Sequence, residues 1–175
     1  MLIGNTDFKV NSSFLAMEKD TSIIITKILE DTELKKLLYY TTKDCLSKPD
    51  LNQEQTYSLI GENVRIVPRI PIEKEGKPYI IIAFDNFMEN QTNPEFRDSI
   101  ITFDILMPFE MWDLDDFRLR PYKIAGRIDG RINNQRLTGI GKVQFLSANQ
   151  MIINDQFAGI TLMYQVIHGG EDTHE

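Results

Sequence analysis

At 175 residues and 42% hydrophobic, the chain can fill one well-buried core and is short for two. A formal net charge of -7 and a pI near 4.9 repel polyanions overall, so sequence-independent nucleic-acid binding would need a local basic patch. The single cysteine, Cys45, cannot form an intramolecular disulfide. The first residues lack the charged and apolar regions of a secretory signal, and the longest apolar runs, such as 79–84, are strand-sized. The expectation is a protein that is made and stays in a cytoplasm, away from membranes.

Residues 1–20 mix isolated apolar side chains (Phe8, Val10, Phe14, Leu15) with Asn, Ser and Lys in no regular period. They read as an N-terminal arm whose anchors, Phe8 and Phe14 among them, are suited to a partner. From Thr21 onward, Ile24, Ile28, Leu34, Leu37, Leu38, Thr41 and Cys45 recur at three- and four-residue steps and mark one helical face. Asp31-Thr32-Glu33 carries capping residues, so this stretch is one kinked helix or two in succession. Cys45 on such a face predicts a buried thiol. Lys48-Pro49-Asp50 ends the helical pattern and begins a polar loop through Gln55.

Residues 64–67 predict a short strand before Pro68 and Pro71. The run 79–84 and the alternating Ile101, Phe103, Ile105 and Met107 predict a hairpin, joined by a projecting loop over 86–98. Pro121 suits the first turn of a last helix, for which Tyr122, Ala125, Ile128 and Ile132 predict the inward stripe, while Gly126 and Gly130 predict close approach of another backbone. The final strand, 157–168, places Ile160, Leu162, Tyr164 and Val166 on one face. Together these elements predict an α+β fold: an antiparallel β-sheet with two or three helices packed on one face. The single domain spans 21–168, and 169–175 forms a mobile acidic tail.

Residue types needed for covalent chemistry are scarce. The only histidines are His168 and His174, and no His-x-x-x-His or G-x-S-x-G spacing occurs. Gly139-Ile140-Gly141-Lys142 resembles part of a phosphate loop, yet Arg136 stands where the first glycine belongs and Val143 where Ser or Thr belongs. It also follows a helix and precedes a strand, the reverse of the order that aims helix N–H groups at phosphate. A helix end and strand entry is the better reading. Asp113, Asp115 and Asp116 lack the register of a calcium loop and read as a surface acidic turn. No catalytic, cofactor-binding or metal-ligating residue is therefore expected, and no cofactor.

Lys123, Arg127 and Arg131 recur every fourth residue and form a cationic flank on the last helix. Such a flank is solvated, pairs with acids of a neighbouring subunit such as Asp115 and Asp116, or meets DNA phosphates. Under the subunit reading, charge reversal at Arg127 and Arg131 leaves the monomer folded and impairs assembly. Trp112, set beside Pro108, Phe109 and Met111, either lids the core or anchors a partner.

Several segments together resemble the small neck proteins of tailed bacteriophages: 63–66 with a following proline, the 79–82 strand, Arg120-Pro121-Tyr122, 137–142, and 157–164. The tail terminator or tail-completion proteins are the nearest class, with head-tail connector components next. The likeness covers about 21–168, carries no catalytic signature, and assigns no functional residue. The long N-terminal arm departs from the family pattern. The resemblance implies a ring, usually hexameric, in the virion neck. It would cap the tail tube, contact the tail tube protein and the connector proteins, and touch DNA only as DNA passes through. A nucleic-acid-binding module is the principal alternative outside assembly, with an enzyme behind it.

Overall fold

A computed structural model of the chain describes residues 13–66, 76–89, 91, 96–137 and 141–169. Four helices, α1 (Ser13–Leu29), α2 (Thr32–Tyr39), α3 (Gln53–Glu62) and α4 (Arg120–Ile132), accompany five strands. These are β1 (Val64–Arg65), β2 (Tyr79–Glu89), β3 (Phe96–Pro108), β4 (Gln144–Ile152) and β5 (Phe157–Gly169), in the sheet order β1-β2-β3-β5-β4. The fold class is α+β. The sheet is mixed, because β1 runs parallel to β2 while every other pair is antiparallel.

The helical stripe and the alternating strands meet in one core. Ile24, Ile28, Leu34, Leu37 and Leu38 pack against Ile82, Phe103, Ile105, Leu162 and Tyr164. Odd-numbered residues of β3 and even-numbered residues of β5 point into this layer because side chains alternate across a strand. On the opposite face of the sheet, Tyr79, Ile81, Leu106 and Phe157 form a smaller apolar cluster. Tyr164 donates its hydroxyl hydrogen bond to Asp129 at 3.0 Å, which ties α4 to the sheet. Burial first, and that carboxylate second, push the Tyr164 phenol well above its ordinary value.

Several expectations are revised. The first helical stretch breaks into two helices at Asp31, whose side chain caps α2 by accepting from the Leu34 N–H at 2.9 Å. Helix α1 reaches back to Ser13, through the last eight residues of the segment read as an arm; Phe14 lies in its first turn, and Phe8 lies outside the described residues. Cys45 is buried, in a short 3-10 turn instead of a helix. The polar loop ending at Gln55 already contains the start of α3, where Asn52 and Gln55 form a reciprocal capping box. The predicted strand 64–67 shortens to two residues, with Val67 outside the described residues.

Of the segment 86–98, expected to project as a loop, the described residues 86–89 and 96–98 are strand. Both arms of the hairpin continue, with a bulge between Asp85 and Met88 where Asn86 adopts φ 48. On α4, Tyr122 faces outward and Ile124 takes its place in the buried stripe with Ile128 and Ile132. A Cβ at Gly126 or Gly130 would meet no atom within 4 Å, so no backbone packs closely there.

Gly159 is the glycine that packing requires. A Cβ there would stand 1.7 Å from the Ile105 carbonyl oxygen, a backbone atom of the adjoining strand that cannot swing aside. Gly159→Ala should therefore cost about 3 kcal/mol through displacement of the β3–β5 ladder. Thermal unfolding followed by circular dichroism checks this, and an unchanged melting temperature would show that the two strands separate freely.

Candidate functional site

The cationic flank of α4 is built as expected, but it is occupied from within the chain. Arg127 donates to both carboxylate oxygens of Asp31, through Nε at 3.0 and 2.9 Å and through Nη2 at 2.5 Å. Arg131 donates to the same carboxylate at 3.2 Å and approaches Glu30 at 3.7 Å. Lys123 and Arg127 lie 3.9 and 3.7 Å from Glu33. The three cations thus face three acids at the α1–α2 junction, Glu30, Asp31 and Glu33, close to one hundred residues away in sequence.

Asp31 is 1% exposed. Burial by itself pushes its carboxyl up, and hydrogen bonds from Arg127, the Leu34 N–H and Arg131 more than reverse that, holding it below its ordinary value of 3.8. A carboxylate that caps a helix and accepts from two arginines is part of the folded scaffold. Arg127 and Arg131, expected on an unpaired flank that meets a neighbouring subunit, are thus paired within the chain. Between these side chains and the start of α4 lies an open groove of about 690 Å³, lined by Glu33, Arg118, Leu119, Tyr122, Lys123 and Arg127.

The acidic turn is equally local. Asp113 pairs with Lys43 at 3.3 Å, Asp116 pairs with Arg118 at 3.1 Å, and the Asp115 N–H donates to the Lys43 carbonyl. The carboxylates of Asp115 and Asp116 do not meet the α4 flank. Among the described residues no group of three His, Cys, Asp or Glu side chains is placed to hold a metal ion. Trp112 is half-buried, packs on the core and lies 5.7 Å from the Phe109 ring, which combines the lid role with an exposed neighbour. The loop beyond it closes on itself through an Asp113–Leu119 bridge and carries Phe117, fully exposed at φ 60.

Arg120 is a residue that sequence reasoning passed over. Its side chain is 0% exposed and donates to the carbonyls of Leu37, Tyr40, Thr41 and Thr42 at 3.0, 2.6, 3.4 and 2.6 Å. Those carbonyls end α2 and begin the next loop, where the helix dipole is negative and acceptors lack helical partners. Burial pulls the guanidinium below the usual arginine range.

The most exposed structural element is β4. It forms one edge of the sheet, and the segment 144–153 contains no charged residue. Phe145, Leu146, Ile152 and Ile153 stand exposed along it, Ile152 at 77%. Edge strands of soluble proteins normally carry Lys, Pro or a covering loop that prevents pairing with another chain. Here the described edge carries neither Lys nor Pro, and its exposed apolar side chains alternate with Gln, Ser and Asn.

Among the described residues, then, the ion pairs of α4 hold the chain's own helices together, and β4 leaves an uncharged sheet edge exposed. The chain is a member of the YomW family, whose model matches residues 31–166. That family is phage-derived, so the protein is phage-associated. No curated protein matches the chain.

Proposed function

We propose that the chain is a structural subunit of a tailed-phage neck, forming a ring that terminates the tail tube and offers the surface to which the head joins. The observation that carries this reading is the uncharged, exposed β4 edge on a protein of a phage-derived family. Its partners would be further copies of itself, the tail tube protein and the connector proteins. It would work without catalysis or cofactor in the virion neck after assembly in the host cytoplasm. The engagement of Lys123, Arg127 and Arg131 by Glu30, Asp31 and Glu33 argues against the nucleic-acid alternative, since those cations are spent before any phosphate arrives.

Electron microscopy of particles produced without the protein tests the reading. Tails of uncontrolled length are expected. Tails of correct length beside filled, unattached heads would move the protein to the connector layer. Normal particles would remove it from the neck.

A further inference from the structure

We infer that copies of the chain associate head to tail, the β4 edge of one copy docking on the α3–β1 edge of the next. This rests on the ring reading above and specifies the two surfaces that meet. Among the described residues the five-stranded sheet ends in β1 on one side and β4 on the other, roughly 19 Å apart at normal strand spacing.

Each end carries its own apolar patch. At the first, Tyr39, Tyr57, Ile60 and Ile66 are exposed, and Gln55 and Gln53 donate to the hydroxyls of Tyr39 and Tyr57 at 3.3 Å each. Ile60 bridges to Val64, which brings the end of α3 onto the edge strand. At the second, Phe145, Leu146, Ile152 and Ile153 are exposed on β4 and its turn, and Gln150 donates to the Tyr122 hydroxyl at 3.1 Å, joining α4 to the patch.

Two features select this occupant. Self-pairing of β4 about a two-fold axis would cover one patch and leave Tyr57, Ile60 and Ile66 in water, whereas a head-to-tail contact covers both sets in every copy. Patches on opposite edges cannot be self-complementary, so the contact repeats and closes into a ring when its rotation allows. The spare charges agree in sign: Arg136 and Lys142, which precede β4, and Glu54 on α3 are in no ion pair among the described residues. With each copy at -7, approach is favoured where charge is low or opposite.

The test uses the full chain. One variant blocks the β4 edge (Leu146→Arg with Ile152→Lys) and a second blocks the other edge (Tyr57→Arg with Ile60→Lys). Sedimentation velocity and native mass spectrometry should find each variant monomeric, with association weakened about 100-fold or more. Mixed in equal amounts, they should form dimers and nothing larger, because each supplies the one edge its partner lacks. An α3-edge variant that assembles like the wild type overturns the inference while leaving the ring reading standing. A wild-type chain that stays monomeric at every concentration overturns both. Should a variant lose its fold, hydrogen exchange of the wild-type protein on dilution decides: β4 and α3–β1 amides are expected to lose protection together, and loss at β4 alone overturns the head-to-tail contact.

Discussion

Arg120→Ala is expected to lower stability by about 3–5 kcal/mol, because four hydrogen bonds from one charged group, each worth about 1.5–3 kcal/mol, are lost and the relief of no longer burying that charge offsets only part of them. For a chain of this length that corresponds to a fall in melting temperature of roughly 10 °C or more. The cause is the set of carbonyls left behind: Leu37, Tyr40, Thr41 and Thr42 all accept from one guanidinium, and its removal takes that donor from the buried Leu37 carbonyl and from three part-buried ones. Arg120→Lys should recover only a fraction, since a single ammonium cannot span four carbonyls as a planar fork does. Thermal unfolding checks both variants. A melting temperature for Arg120→Ala within a couple of degrees of the wild type would mean that water replaces the guanidinium without cost, and that the α2–α4 junction is held by apolar packing alone.

Asp31→Ala should be nearly as damaging, at about 3–4 kcal/mol, from the lost helix cap and the lost charge-assisted hydrogen bonds. Arg127→Glu with Arg131→Glu should likewise destabilise the folded monomer, because two acids would be pressed against a carboxylate that is already buried. The pH dependence has a definite sign. The folded Asp31 carboxyl sits below its ordinary value of 3.8, so in that window the unfolded chain binds more protons. The contribution is fully present above pH 3.8 and is lost as pH falls through the lower folded value. Denaturant titrations between pH 7 and pH 2 should show Asp31→Asn losing part of the acid-induced fall in stability seen in the wild type. Identical pH profiles for the two proteins would show that the cluster is a solvated surface feature after all.

The stripes of α1, α2 and α4, and the alternation of β3 and β5, follow from periodicity because one buried face imposes its period on the sequence. The break at Asp31 was readable as a cap. Helix α3 was missed, although Asn52-x-x-Gln55 is a capping-box signature, because its single buried residue, Leu59, gives no stripe to detect. Tyr122 and Ile124 exchanged places because a stripe fixes a face only to within a residue when Pro121 and Arg120 also point inward. The extended β2 arm was hidden because Asn86 reads as a turn residue, whereas it sits at φ 48 in the irregularity between Asp85 and Met88, beyond which the strand continues to Glu89.

The sequence by itself determined most of the core's composition, the helix break at Asp31, the start of α4 at Pro121, the α+β class and the poverty of catalytic groups, since these depend on local pattern and residue inventory. Tertiary structure alone decided what each polar residue does. Arg127 and Arg131 meet Asp31 across 96 and 100 residues, Arg120 meets the end of α2 across about 80, and β4 becomes an edge only because β5 inserts between it and β3. Charge and hydrogen bonding act over a few ångströms in space and leave no periodic trace in a chain. The pairing that turns a cationic flank into an internal clasp, and an ordinary strand into an open edge, therefore exists only once the fold has formed.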